Sequence, residues 1–172
     1  MILIMFSLAS LKAQEITLKK GETIKKLKKG VHYKTPNDLL EKFEGVWEYQ
    51  NKNEVFKIEI KRQKTYVNSL DIFIDNLNGK YCYSKNYSCE INSEIYNLTN
   101  ENSDIDSLSE GLTNFMFYDI KYDKLGKVKF QILENGDAKW TLKNREMTLN
   151  IMNSKKEIGF SVPTNIILTK IK

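Results

Sequence analysis

The clearest regularity along the chain is an alternation of apolar and polar residues with a period of two. In residues 54–62, Phe56, Ile58 and Ile60 alternate with Lys57, Glu59 and Lys61, the pattern of a strand with one buried and one solvated face. Leu70, Ile72 and Ile74 repeat it against Asp71, Phe73 and Asp75, and Asn78-Gly79 reads as a turn into a further strand starting at Lys80. Upstream, Asn51-Lys52-Asn53 separates Trp47-Glu48-Tyr49 from the Phe56 strand. Additional strands are expected over 94–98, 115–122, 127–133, 137–143, 147–152 and 165–171. Glu134-Asn135-Gly136-Asp137 predicts a hairpin, because Asn-Gly readily supplies the two positive φ angles of a type I′ turn.

One stretch departs from this period. In residues 35–44, Leu39, Leu40 and Phe43 share a face at helical spacing. Thr35 suits a helix cap, Pro36 the first helical position, and Asp38 the positive helix end. Gly45 suits the left-handed stop, so a short apolar helix delivers Gly45-Val46-Trp47 onto a strand. Nine or ten short strands with one short helix make the expected class all-β, a barrel or sandwich. The form preferred is an antiparallel β-barrel of about 8–10 strands with a short N-terminal helix.

Composition changes this picture little. At 172 residues the chain reads as one domain. Nine tyrosines, eight phenylalanines and scarce alanine after residue 14 favour strands over helices.

Residues 1–13 read as a signal peptide, too short to span a bilayer, with cleavage expected between Ala13 and Gln14. It lacks a basic leading region, and Leu11 occupies the minus-three position. No cysteine near the junction forms a lipobox. The expected product is a soluble periplasmic or secreted protein, with no transmembrane segment in the mature chain. Its expected organisation is a lysine-rich lead over 14–34 followed by a single barrel domain over 35–172.

Charge is concentrated in that lead. Lys19, Lys20, Lys25, Lys26, Lys28 and Lys29, with Lys34, face only Glu15 and Glu22, whereas residues 35–172 carry 19 basic against 20 acidic residues. Such an arm suits an anionic surface, although a charge run of this kind is more often a solvated face. Nucleic acid is disfavoured because no aromatic stacking platform accompanies the lysines. Ile24, Leu27 and Val31 suggest that one side of the arm packs on the body.

Candidate chemistry is sparse. Cys82 and Cys89 would face each other across a hairpin turning at Lys85-Asn86, a short-loop disulfide in an oxidising compartment. Zinc is disfavoured, since only His32 could join them. No Gly-x-Ser-x-Gly, phosphate loop or dinucleotide fingerprint is present, so neither an enzyme nor a cofactor is expected. The acidic stretch Glu101, Asp104, Asp106 and Glu110 lacks the spacing of a calcium loop and reads as a solvated connection.

These residues carry a resemblance. The chain resembles an uncharacterised family of exported, lipocalin-like proteins of flavobacteria and their relatives. It does so through Ala13-Gln14, Tyr33-Lys34, Asn37-Asp38-Leu39, the run from Phe43 to Trp47, Trp140 to Asn144, and Pro163 to Lys170. The resemblance implies a periplasmic or secreted β-barrel with no assigned activity or functional residues. Two functions follow. A hollow barrel would hold a small apolar ligand, with Trp47 and Trp140 near the cavity ends. A barrel packed solid would be a structural or interaction protein of the cell envelope whose lysine arm contacts an anionic surface.

Overall fold

Strands with one apolar face must bury it, and here eight of them do so by closing into a ring. The computed structural model describes residues 14–21, 26–91, 96–100, 104–145 and 159–171. Two short strands come first, β1 (Glu15–Thr17) and β2 (His32–Lys34), then the single-turn helix α1 (Asn37–Glu41). There follow β3 (Gly45–Asn51), β4 (Glu54–Val67), β5 (Ile72–Ser84), β6 (Leu98–Asn100), a second single-turn helix α2 (Ile105–Ser109), β7 (Leu112–Asp119), β8 (Lys124–Ile132), β9 (Ala138–Asn144) and β10 (Asn165–Lys170).

From β3 to β10 each strand pairs antiparallel with the next, and β10 returns to β3 through Thr169↔Glu48 and Lys170↔Trp47. The result is a closed, eight-stranded, up-and-down antiparallel barrel, which leaves no unpaired edge on the ring. Phe56, Ile58 and Ile60 point inward and are fully buried, as their alternation requires. The expected strand over 147–152 lies outside the described residues, as do the signal segment 1–13 and Lys25.

Three local expectations are corrected. Asn78-Gly79 is no turn: β5 runs straight through it, paired with β4 from Val67↔Ile72 to Val55↔Ser84. The turn lies earlier, and Leu70 sits exposed in it. Gly79 serves the ring closure instead. It pairs with Leu98 of β6, and a Cβ there would meet the Glu59 carbonyl oxygen at 2.9 Å and the Leu98 Cβ at 3.3 Å. Second, the Asn135-Gly136 hairpin is not type I′. Gly136 has φ 86° but Asn135 is not among the positive-φ residues. The Gly136 N–H donates to the Leu133 carbonyl at 3.0 Å and the Leu133 N–H to the Asp137 carbonyl at 2.8 Å, the three-residue loop in which one left-handed glycine suffices.

Third, Thr35 does not cap the helix. Pro36 holds the cap position without a side-chain bond, and the Thr35 N–H donates to the Asp75 carboxylate at 3.0 Å. The expected helix shrinks to the one turn of α1, too short to hold itself without packing. Leu40 and Phe43 supply that packing, and the Lys42 Nζ donates to the Ser109 carbonyl of α2 at 3.4 Å, so the two helical turns meet beside the start of β3.

β1 and β2 lie outside the ring, added in parallel to the first residues of β5 through His32↔Phe73 and Tyr33↔Ile74. Val31, Tyr33 and Ile72 form a second small core there with Ile16, Leu18, Val67 and Ile74 packed against it. His32, 5% exposed, sits between the Asp75 carboxylate (Nε2 to Oδ1, 2.9 Å) and Glu15 (Nδ1 to Oε1, 3.4 Å). The only histidine of the chain therefore ties β1, β2 and β5 together.

Candidate functional site

The interior of the ring is occupied by aromatic side chains. Trp47, on β3, is 1% exposed and packs edge-on against Phe130 at 5.3 Å between ring centroids. Trp140, on β9, is fully buried between Phe56 at 5.2 Å and Phe117 at 5.6 Å. Both indole N–H groups are committed, Trp47 to the Phe43 carbonyl at 2.9 Å and Trp140 to the Pro163 carbonyl at 3.0 Å. Buried indoles with satisfied donors and edge-to-face neighbours are structural elements of a packed core. Trp47 of β3 thus meets Phe130 of β8, and Phe56 of β4 meets Trp140 of β9, between strands that are not neighbours on the ring.

Near the rim opposite the helical turns, Tyr83 on β5 donates its hydroxyl to Glu54. Burial, with that hydrogen bond to the carboxylate second, pushes the phenol up to about 12. The folded value exceeds that of an unfolded tyrosine near 10, so this contribution to stability is complete below about pH 10 and is lost as pH rises towards 12. A Tyr83→Phe variant should therefore lose less stability than the parent across that window, as read by urea unfolding at stepped pH. Parallel curves for the two proteins would remove Tyr83 as a source of alkaline instability.

Cys82 and Cys89 form a disulfide with Cα atoms 5.9 Å apart. The predicted bond stands, but on different geometry. Cys89 follows β5 in irregular chain, with no strand paired opposite Cys82 on that side among the described residues. The loop is held to the β3–β4 turn instead, through the Tyr87 N–H to the Asn53 carbonyl at 2.8 Å and Asn53 Nδ2 to the Lys85 carbonyl at 2.8 Å.

The predicted arm keeps most of its described lysines in solvent, with Lys34 half-buried on β2. Lys19, Lys20, Lys26, Lys28 and Lys29 are all exposed, while Val31 packs inward and Leu27 is 39% exposed. Of the acidic stretch, Asp104, Asp106 and Glu110 are exposed, as a solvated connection requires, and Glu101 lies outside the described residues. Asp104 caps α2, its carboxylate accepting from the Ser107 N–H at 2.7 Å, and that bond holds its pKa below the usual carboxylate range.

Polar chemistry on the ring concentrates on its outside. On the outer face of β3 to β5, opposite charges neutralise one another: Lys57 pairs with Glu48 at 2.8 Å and Lys61 with Glu59 at 2.7 Å. The outer face of β7 to β10 is different. Its outward positions carry Lys127 and Lys129 from β8 and Lys139 and Lys143 from β9, with Arg145 just beyond. No aspartate or glutamate occupies an outward position of these four strands. The registers align them in rows. Lys127 stands directly opposite Lys143, and Lys129 lies between Asn114 and Thr141. Like charges face to face on a sheet oppose folding by some tenths of a kcal/mol, so the sheet carries this arrangement at some expense.

The long side chains wall a groove over the shorter ones. A depression of about 510 Å³ is bounded by Lys127, Lys129, Lys143 and Arg145, with Asn114, Thr141 and Asn144 completing it. A second, of about 200 Å³, continues it past Lys129 and Thr141 to Gln131 and Lys139. Between Lys139 and Arg145 the chain advances about 20 Å at strand rise. No described carboxylate pairs with Lys129, Lys139, Lys143 or Arg145.

Sequence reasoning placed the positive charge on the lead and missed this face. A signal was present: Lys127, Lys129, Lys139 and Lys143 alternate with Val128, Phe130, Trp140 and Leu142 across a predicted hairpin. Among the described residues no cluster of three metal-ligating side chains occurs, and no helix is long and apolar enough to cross a membrane. No curated protein and no solved structure matches the chain. A family of unknown function, DUF6705, matches residues 1–171, and the chain belongs to that family.

Proposed function

We propose that the protein is an exported, lipocalin-like barrel acting as a binding module, not an enzyme, and that its working surface is its exterior. The meander topology, the apolar turn before Gly45-Val46-Trp47 and the Cys82–Cys89 disulfide support the exported lipocalin-like reading. The observation that supports this reading is the contrast between the two outer faces, one where Lys57 and Lys61 pair with Glu48 and Glu59, and one where no described carboxylate pairs with Lys129, Lys139, Lys143 or Arg145. The partner is an anionic component of the cell envelope, and the lysine arm adds positive charge elsewhere on the surface. An apolar ligand inside the barrel is the weaker reading, because Trp47, Trp140, Phe56, Phe117 and Phe130 occupy that space.

Polyaspartate, a polyanion without sugar or base, provides the test. Binding should be measurable at low salt and fall steeply as salt rises. Lys129→Glu/Lys143→Glu should weaken it about tenfold or more through two reversed charges, and Lys19→Glu/Lys20→Glu by less. A groove variant that binds like the parent would move the surface to the arm, and absence of binding in the parent would end the proposal.

A further inference from the structure

Resting on that reading, we infer that the groove across β7, β8 and β9 is a site for a linear acidic polysaccharide, a glycan carrying carboxylate or sulfate groups along its length. The groove is elongated, since its two depressions share Lys129 and Thr141 and follow β9 from Lys139 to Arg145. A chain lying in it passes cations on both sides, with Lys127 and Lys129 on one strand and Lys143 on the next. Between the carbon stems of the lysines, the uncharged side chains that line its floor are all polar. Asn114, Thr141 and Gln131 are half-buried there, bringing two amides and a hydroxyl among the lysines.

That floor decides between the polyanions the cations would attract. An amide presents both donors and an acceptor and a threonine hydroxyl presents both roles, so the floor matches sugar hydroxyls, which also donate and accept. A fully ionised phosphate chain offers acceptors only and would leave the amide oxygens without partners. A membrane surface is held by apolar and aromatic side chains inserted beside the cations; on this outer face Tyr118, Leu125 and Ile167 are exposed, Ile167 opposite Lys139, but none of them lines the groove. Single-stranded nucleic acid binds on aromatic platforms, likewise absent from the lining. The cations thus supply attraction, while Asn114, Thr141 and Gln131 supply selection.

The test compares oligogalacturonate with polyaspartate of matched charge number, using the intact protein and calorimetric titration at two salt concentrations. Phosphatidylglycerol vesicles, single-stranded DNA and neutral oligogalactan are run alongside. Oligogalacturonate should bind about tenfold or more tightly than polyaspartate, the advantage of pairing its hydroxyls with the floor, and the neutral glycan should not bind. Asn114→Leu and Thr141→Val should erase that preference, bringing the oligogalacturonate affinity down to that of polyaspartate. Lys129→Gln/Lys143→Gln should weaken both polyanions and flatten the salt dependence. Equal affinity for the two polyanions, or tighter binding of vesicles or DNA, would overturn the glycan assignment and leave the basic surface standing. Lysine variants that bind every probe like the parent would overturn both. Circular dichroism of each variant separates loss of binding from loss of fold.

Discussion

Replacing Trp140 by alanine should cost about 3–5 kcal/mol, the range for removing a large aromatic from a closed core. That is a large part of the 5–15 kcal/mol that ordinarily holds a domain folded. Trp140 is fully buried, packed edge-on against Phe56 and Phe117, and its N–H is the donor to the Pro163 carbonyl. The substitution removes the ring contacts and leaves that carbonyl without its partner. The neighbours sit on paired strands of a closed ring, so they have little freedom to collapse into the space. The measurement is the urea midpoint at unchanged slope. Indole added to Trp140→Ala should raise the midpoint again by refilling the cavity, as small aromatics enter dry engineered cavities. A loss below about 1 kcal/mol would mean that the barrel is looser around Trp140 than its packing indicates.

The second large effect is expected at Asp119, on the last residue of β7. It is fully buried, and it is the acceptor that fastens the segment before β10 to the barrel. Its carboxylate accepts from the Ser161 N–H and the Ser161 hydroxyl, both at 2.6 Å, and from the N–H groups of Lys121 and Tyr122 at 3.1 and 3.3 Å. Removing it strands three backbone donors and a hydroxyl, for a loss of about 3 kcal/mol from the hydrogen bonds to a charged acceptor. Asp119→Asn keeps the shape but turns an N–H towards one of those donors, so its loss should be smaller than that of Asp119→Ala. Hydrogen exchange reads the local part. The Ser161 amide should lose protection first, and the Trp140 indole N–H should follow because Pro163 lies two residues further on. Unchanged Ser161 protection in Asp119→Ala would show that the segment is held by other contacts. One such contact is Phe160, whose ring lies against Phe117 and above Gly126, where a Cβ would approach it to 2.7 Å.

Both positions show how the core and the surface of one sheet are made by the same alternation. Along β8 and β9, Val128, Phe130, Trp140 and Leu142 turn inward and become the packed interior. The residues between them, Lys127, Lys129, Lys139 and Lys143, are thereby forced outward onto one face. A slip of one residue would exchange the two sets. The groove is therefore held in place by the energetics of the core: the register that buries Trp140 is the register that sets Lys127 opposite Lys143.

The features legible in the residues alone are local. The period of two marked Phe56 to Ile60 as a half-buried strand, and the disulfide between Cys82 and Cys89 follows from two cysteines close in the chain. Where a local signal misled, a distant partner had outweighed it. Asn78-Gly79 has turn chemistry, yet β4 pairs with it on one side and β6 crosses on the other, so it stays extended. Thr35 has cap chemistry, yet its N–H is taken by Asp75, 40 residues away. Long-range contacts settled that β10 closes onto β3, that Trp47 meets Phe130 from a strand that is not its neighbour, and that a chain with 19 basic and 20 acidic residues after its lead gathers five cations on one face. Period and turn chemistry act over a few residues, whereas ring closure, filling of the interior and the sum of charge on a face depend on which distant strands become neighbours.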